Sequence, residues 1–361
     1  MENINYKPRF PLIAMAMLAL LAAMWAGLSR IGWGWPVLQP TLPAAHGPLM
    51  ICGFLGTVIG VERAVALNRR WTYAGPVLTG LGGLALMVGL PLPLGAGLIT
   101  LGSVGLVAVF GLILTIETAP YTATMAAGAT LWLVGNILWL FGWPVYTVAV
   151  WWSGFLLLTI AGERLELGRI LRLSKAVQGL FVAAAGLYLA GLVVSLFAFD
   201  AGVRLTAAGM LALAVWLLRF DIARHTVKKP GLTRFIAVCL LTGYGWLVVS
   251  GALALYYGGV SAGFQYDAIL HAVYVGFVMA MIFGHAPIIF PAVLGKAIPF
   301  HNSFYLHLAL LHVSLILRVA GDLAFWVPLR QWGGFLNTIA ILLFVANTLL
   351  AVRRGWNGSK T

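Results

Sequence analysis

Acidic residues are nearly missing from this chain: 361 residues hold only 9 Asp and Glu, against 22 Lys and Arg. Charged residues of both signs make up 9% of the whole, and hydrophobic residues make up 62%. A water-soluble domain needs far more charge on its surface, so that composition excludes one and points to a chain built to sit in lipid. Cysteine is scarce too. The two present, Cys52 and Cys239, exclude a disulfide framework and a Cys-x-x-Cys redox motif, and each falls in an apolar stretch where a thiol behaves as a small hydrophobe. Also missing are a phosphate-cradling Gly-x-x-x-x-Gly-Lys-Ser/Thr loop, a His-Glu-x-x-His helix and a serine elbow, which removes the hydrolases built on them. The sequence singles out no catalytic residue.

What is present is a series of apolar runs near the ~20 residues needed to span a bilayer core of about 30 Å. Twelve can be drawn, at about 10–28, 43–62, 72–90, 94–116, 121–142, 144–162, 176–199, 203–219, 232–257, 266–291, 302–325 and 331–352. They predict an all-α polytopic membrane protein forming a single transmembrane domain over 1–361. The first run is too long, and lacks a small-residue cleavage site, for a removable signal, so it is expected to persist as the first helix.

The formal charge of +13 is not gathered into one polyanion-binding patch, so no nucleic-acid partner is expected. The cations alternate between connections. Eighteen, from Lys7 and Arg9 through Arg63, Arg164, Arg219, Lys228 and Lys296 to Lys360, fall on one predicted side, and Arg30, Arg204 and Arg330 fall on the other. By the positive-inside rule both termini are cytoplasmic, in a cell inner membrane. Trp33, Trp35, Trp143, Trp326 and Trp332 mark the predicted outer ends as an aromatic belt.

An internal repeat runs through the segments. Gly53-Phe54-Leu55, Ile59 and Glu62-Arg63 in the second recur 101 residues later as Gly154-Phe155-Leu156, Ile160 and Glu163-Arg164 in the sixth. The tenth carries a weaker copy, Gly276-Phe277-Val278 with Ile282, and has His285 where the others have Glu. Spacing by four segments predicts three pseudo-symmetric four-helix arcs, near 10–116, 121–219 and 232–352. Both Glu-Arg pairs are expected to close locally at helix ends.

Histidines are the main chemical signal, since an imidazole within hydrocarbon must pair or bind something. His46 and His271 lie at matching depths, roughly 5 Å inside the outer edge of the second and tenth segments. Two such rings suit the faces of one haem, or a shared metal. His285 sits about 21 Å deeper than His271 and level with His307 on the eleventh segment, with His312 near mid-membrane, which suggests a second, inner metal site for which copper suits neutral imidazoles. His301 and His225 are expected to be solvated. Arg318 and Asp322, four residues apart, are expected to share a helix face as an ion pair, with Arg318 available to an anionic group such as a haem propionate.

His46-Gly47-Pro48-Leu49-Met50 followed by Gly53-Phe54, and His271-Ala272 followed by Val275-Gly276 and Gly284-His285, resemble the two histidine regions of the NnrS family, polytopic haem- and copper-carrying proteins of the bacterial nitric oxide response. That resemblance implies haem and copper cofactors and a role in nitric oxide defence or diatomic-gas redox chemistry, with oxidoreductase chemistry if the chain is an enzyme. Departures occur at Gly60-Val61-Glu62-Arg63, where the family carries an apolar run into Pro-Asn-Trp, and at Phe283-Gly284-His285-Ala286-Pro287, where it carries Leu-Gly-His-Thr-Gly-Arg. The layout is also similar to the large subunit of haem-copper oxidases, but the sixth segment lacks His-Pro-Glu, the seventh a His-His pair and the tenth His-x-His, so proton-pumping oxidase activity is not implied. Two other classes fit the same composition: a metal or small-solute permease with histidines along its path, and a membrane assembly subunit that needs none of them.

Overall fold

The computed structural model describes residues 9–295 and 298–358, which are helical or in short connections, with no strand among them. Lys7, Lys296 and Lys360 lie outside the described residues, as does the side chain of Arg354. The chain is an all-α polytopic membrane protein. It divides into two compact units.

The first unit comprises the described parts of Met1–Thr122, with Ala126–Phe155 and Ala292–Gly295. It contains α1 (Arg9–Arg30), α2 (Leu42–Leu67), α3 (Ala74–Met87), α4 (Leu92–Ile116), most of α5 (Pro120–Leu140) and the first half of α6 (Val145–Leu167). The second comprises Ala123–Met125, Leu156–Pro291 and the described parts of Lys296–Thr361. Beyond the rest of α6 it contains α7 (Lys175–Ser195), α8 (Phe199–Phe220), α9 (Gly231–Tyr257), α10 (Gly263–Pro291), α11 (Phe304–Leu323) and α12 (Val327–Gly358).

Among the described residues eleven helices are long and apolar enough to cross a membrane. The twelfth, α3, has 14 helical residues and rises only about 21 Å. It is shortened by a 3-10 turn at Arg70–Tyr73 before it and by Gly89, at φ 78°, after it. Helix ends elsewhere follow local chemistry. Asn68 ends α2 in the left-handed region at φ 50°, Gly258 follows α9 at φ 68°, and the Ser174 side chain caps α7 by accepting from the Val177 amide. Within the first unit α3 and α4 approach closely because both are rich in glycine: a Cβ on Gly105 would lie 2.9 Å from the Gly75 Cα. In the second unit the main antiparallel pairs are α7 with α8, α8 with α9, and α11 with α12.

Two helices depart from α geometry at matching places. Leu49–Gly56 in α2 and Ala272–Met279 in α10 are eight-residue π-helices, each beginning 223 residues from the other, the same offset that aligns Gly53-Phe54 with Gly276-Phe277. Long π segments are rare and concentrate near functional sites. The equivalent stretch of α6 is regular α-helix. The repeat therefore joins α2 to α10 by backbone geometry and α2 to α6 by sequence.

Candidate functional site

The carbonyl that meets each ring nitrogen sets the chemistry of the histidines, because a carbonyl oxygen only accepts. In the first unit His46 donates from Nδ1 to the Ala23 carbonyl of α1 at 2.7 Å. Its ring lies over Gly27, where a Cβ would come within 2.8 Å of the His46 Cε1, so the absence of a side chain at 27 admits the imidazole to the α1 backbone. In the second unit His271 donates from Nδ1 to the Asp267 carbonyl at 2.8 Å, and the Asp267 carboxylate stands 3.4 Å from the same nitrogen. His285 donates likewise to the Met281 carbonyl at 2.7 Å. In its neutral form each of the three rings carries the proton on Nδ1, which leaves Nε2 as the acceptor nitrogen. A backbone acceptor at one nitrogen is what orients a metal-ligating histidine.

His307 and His312 are of the opposite kind. Asn347 donates its amide to the His307 Nδ1 at 3.1 Å and to the Ser303 carbonyl at 3.3 Å. Trp246 donates its indole N–H to the His312 Nδ1 at 3.0 Å. Both rings therefore carry the proton on Nε2, and neither Nε2 has a hydrogen-bond partner among the described residues. His307 is 1% exposed and boxed by Phe235, Phe283, Phe304 and Phe344, with Phe283 perpendicular to it at 4.8 Å between ring centres.

The structure does not bring His285 to His307. The face of α10 toward His307 is that of Phe283, and His285, two residues on, is turned about 200° around the helix. Its electrostatic neighbours are Glu163, Arg164 and Asp221. Arg164 holds Asp221 through two hydrogen bonds, at 2.7 and 3.0 Å, Tyr244 donates to the same carboxylate at 3.1 Å, and the Ala223 amide at 2.6 Å. The expected local pairing of Glu163 with Arg164 thus gives way to a partner on the α8–α9 connection. In the first unit Arg63 keeps a looser contact with Glu62 at 3.8 Å and lies over the Phe110 ring. His225 and His301 are exposed.

Arg318 is likewise placed differently from its expected pairing. It closes on Asp267 of α10, and Asp322 is met by Arg330 at 2.8 Å. Arg330 reaches Asp267 as well, at 3.4 Å, and covers the Phe264 ring. Two carboxyl groups and two guanidiniums thus cluster beside His271.

Sequence reading passed over Asp267, Asp221 and Tyr244. With so few acids in the chain, a carboxylate inside or beside an apolar run was itself the available signal. It also left Asn136 without a role. In the first unit Asn136 is fully buried, accepting from the Trp152 indole at 2.9 Å and from the Cys52 thiol at 3.5 Å, while Trp132 donates to the Cys52 sulfur at 3.3 Å. Cys52 stands on the π segment of α2, so this network ties that segment to α5 and α6.

A family model described as a domain of unknown function, DUF8744, matches residues 9–353. The chain belongs to the DUF8744 family. The match reaches into all twelve helices and includes every histidine of the chain. Comparison with curated proteins and with solved structures finds no match.

Proposed function

We propose that the protein is a haem-binding integral membrane protein acting in nitric oxide defence or diatomic-gas redox chemistry, with His46 and His271 as iron ligands. The observation that carries this reading is the shared anchoring of both rings by Nδ1 to a backbone carbonyl, the kind of acceptor that orients a ligating imidazole. Haem fits the donor set better than a bare ion does. Among the described residues no group of three or more His, Cys, Asp or Glu side chains could hold a metal, but a porphyrin brings four nitrogens of its own and needs only one or two imidazoles. Bound haem would supply one-electron chemistry and a site for diatomic gases. His285 shares the Nδ1–carbonyl anchoring, whereas Asn347 and Trp246 donate to the Nδ1 of His307 and His312, so copper at either of those rings would be held through Nε2 after loss of its proton. Arg318 is engaged by Asp267, so its part is to hold the carboxylate next to His271.

The basic residues support an inner-membrane placement with both termini cytoplasmic. Reporter fusions at each end test that placement, and an outward C-terminus would overturn it. The cofactor reading is tested by absorption spectra and iron content of the purified protein. A Soret band that His46→Ala or His271→Ala alters supports it; a colourless, iron-free protein after expression with added haem precursor overturns it and favours the permease class.

A further inference from the structure

The second unit treats its cations differently at its two ends. At one end each arginine is matched to a carboxylate: Arg204 to Asp200 at 2.9 Å, Arg318 to Asp267 at 2.7 Å and Arg330 to Asp322 at 2.8 Å. The other end holds the α6–α7 and α8–α9 connections. Trp216 near the end of α8 donates to the Val177 carbonyl near the start of α7 at 2.8 Å, and its ring packs edge-on against Phe181, so these two connections lie side by side. Arg172 and Lys175 from one, and Arg224, Lys228, Lys229 and Arg234 from the other, are exposed there.

Two of those cations, Arg224 and Arg234, are held by backbone oxygens. Arg224 donates to the Arg219 carbonyl, and Arg234 donates to the Val227 carbonyl at 3.3 Å. The nearby acids are Asp221, committed to Arg164, and Glu163 and Glu166 on α6. Backbone anchoring fixes the guanidiniums without neutralising them, so the positive charge stays available to an outside anion. The N-termini of α7 and α9 point to the same end and add the positive poles of two long helices. Because the connections cap membrane-spanning helices, the cations stand at the level of lipid head groups.

We propose that this end of the second unit is a docking surface for the phosphate head groups of anionic membrane phospholipids. Nothing in the proposal depends on haem. Native mass spectrometry of the protein released from nanodiscs of phosphatidylglycerol or of phosphatidylcholine tests it. Phosphatidylglycerol should be retained at least ten-fold more, and the variant Arg224→Gln/Lys228→Gln/Lys229→Gln should lower that retention by roughly five-fold per cation removed. Arg30→Gln, at another connection, should leave it unchanged. Equal retention of the two lipids, or an unaltered triple variant, overturns the proposal. Displacement of the lipid by millimolar inorganic phosphate also overturns it, since the surface would then be a site for a soluble anion.

Discussion

Arg318 of α11 clasps Asp267 of α10 through two near-parallel hydrogen bonds, Nε to Oδ2 at 2.7 Å and a terminal nitrogen to Oδ1 at 2.9 Å. The pair joins two helices where little water is at hand to solvate either charge, and Arg318 is only 9% exposed. Removing one partner strands the other. Asp267→Ala should therefore destabilise the protein by about 3–5 kcal/mol, whereas adding Arg318→Leu should recover part of that loss, because the stranded charge goes with it. Thermal unfolding in detergent measures both; an unchanged midpoint for Asp267→Ala would mean that Asp322, four residues from Arg318 on α11, takes over as its counter-charge.

The Arg164–Asp221 pair makes a graded test of the same physics. Asp221 accepts from Arg164 twice, from the Ala223 amide and from Tyr244, so the phenol is one contributor among several. Tyr244→Phe keeps the ring and removes only the O–H, which should cost about 1.5–3 kcal/mol, the range for a hydrogen bond to a charged group. Arg164→Leu should cost more, since it leaves a buried carboxylate without a counter-charge. If the two variants unfold at the same temperature, the ion pair contributes nothing beyond the hydrogen bond.

These two pairs also mark the boundary of what the sequence makes legible. Apolar run length places most helices to within a few residues, as with 232–257 against Gly231–Tyr257 and 94–116 against Leu92–Ile116, because spanning lipid is a demand on composition alone. Partner choice is not such a demand. Spacing of four residues pointed Arg318 to Asp322, and adjacency pointed Arg164 to Glu163, yet each arginine turns to a carboxylate distant in the chain, since packing brings one within reach in better geometry. The tautomers of the histidines were hidden for the same reason: they depend on whether Nδ1 meets a carbonyl, an amide or an indole. The π-helices use the same residue types as α-helix, and only the Gly-Phe alignment hinted that α2 and α10 were related.

Gly276 sits inside the π segment of α10 with the Trp246 ring pressed on it, so that a Cβ there would lie 2.4 Å from Trp246 Cγ. Gly276→Ala should push the indole aside, break its hydrogen bond to His312, and destabilise by about 1–3 kcal/mol through overpacking. Gly56 stands in the same relation to Trp132, at 2.3 Å, so Gly56→Ala should behave alike. Unfolding midpoints together with a shift in tryptophan emission would register the displacement. Alanine tolerated at both positions, with unaltered emission, would show that the π segments relax without strain.

Gly27 offers a way to move His46 without replacing it. The ring reaches the Ala23 carbonyl only because position 27 on α1 has no side chain, and any Cβ there would meet the imidazole. Gly27→Val should drive the ring off that carbonyl, release Nδ1 from its acceptor and turn Nε2 away from its bound-state direction. If His46 ligates haem iron, the low-spin spectrum should be lost or shifted as in His46→Ala, although the imidazole is still present. His307→Phe is the contrasting variant: it replaces an N–H-bearing ring in a box of four phenylalanines with a fifth, and should leave the haem spectrum intact while altering stability by about 1 kcal/mol either way. A spectrum that survives Gly27→Val but not His307→Phe would reverse the division of the histidines into ligand-type and donor-type rings.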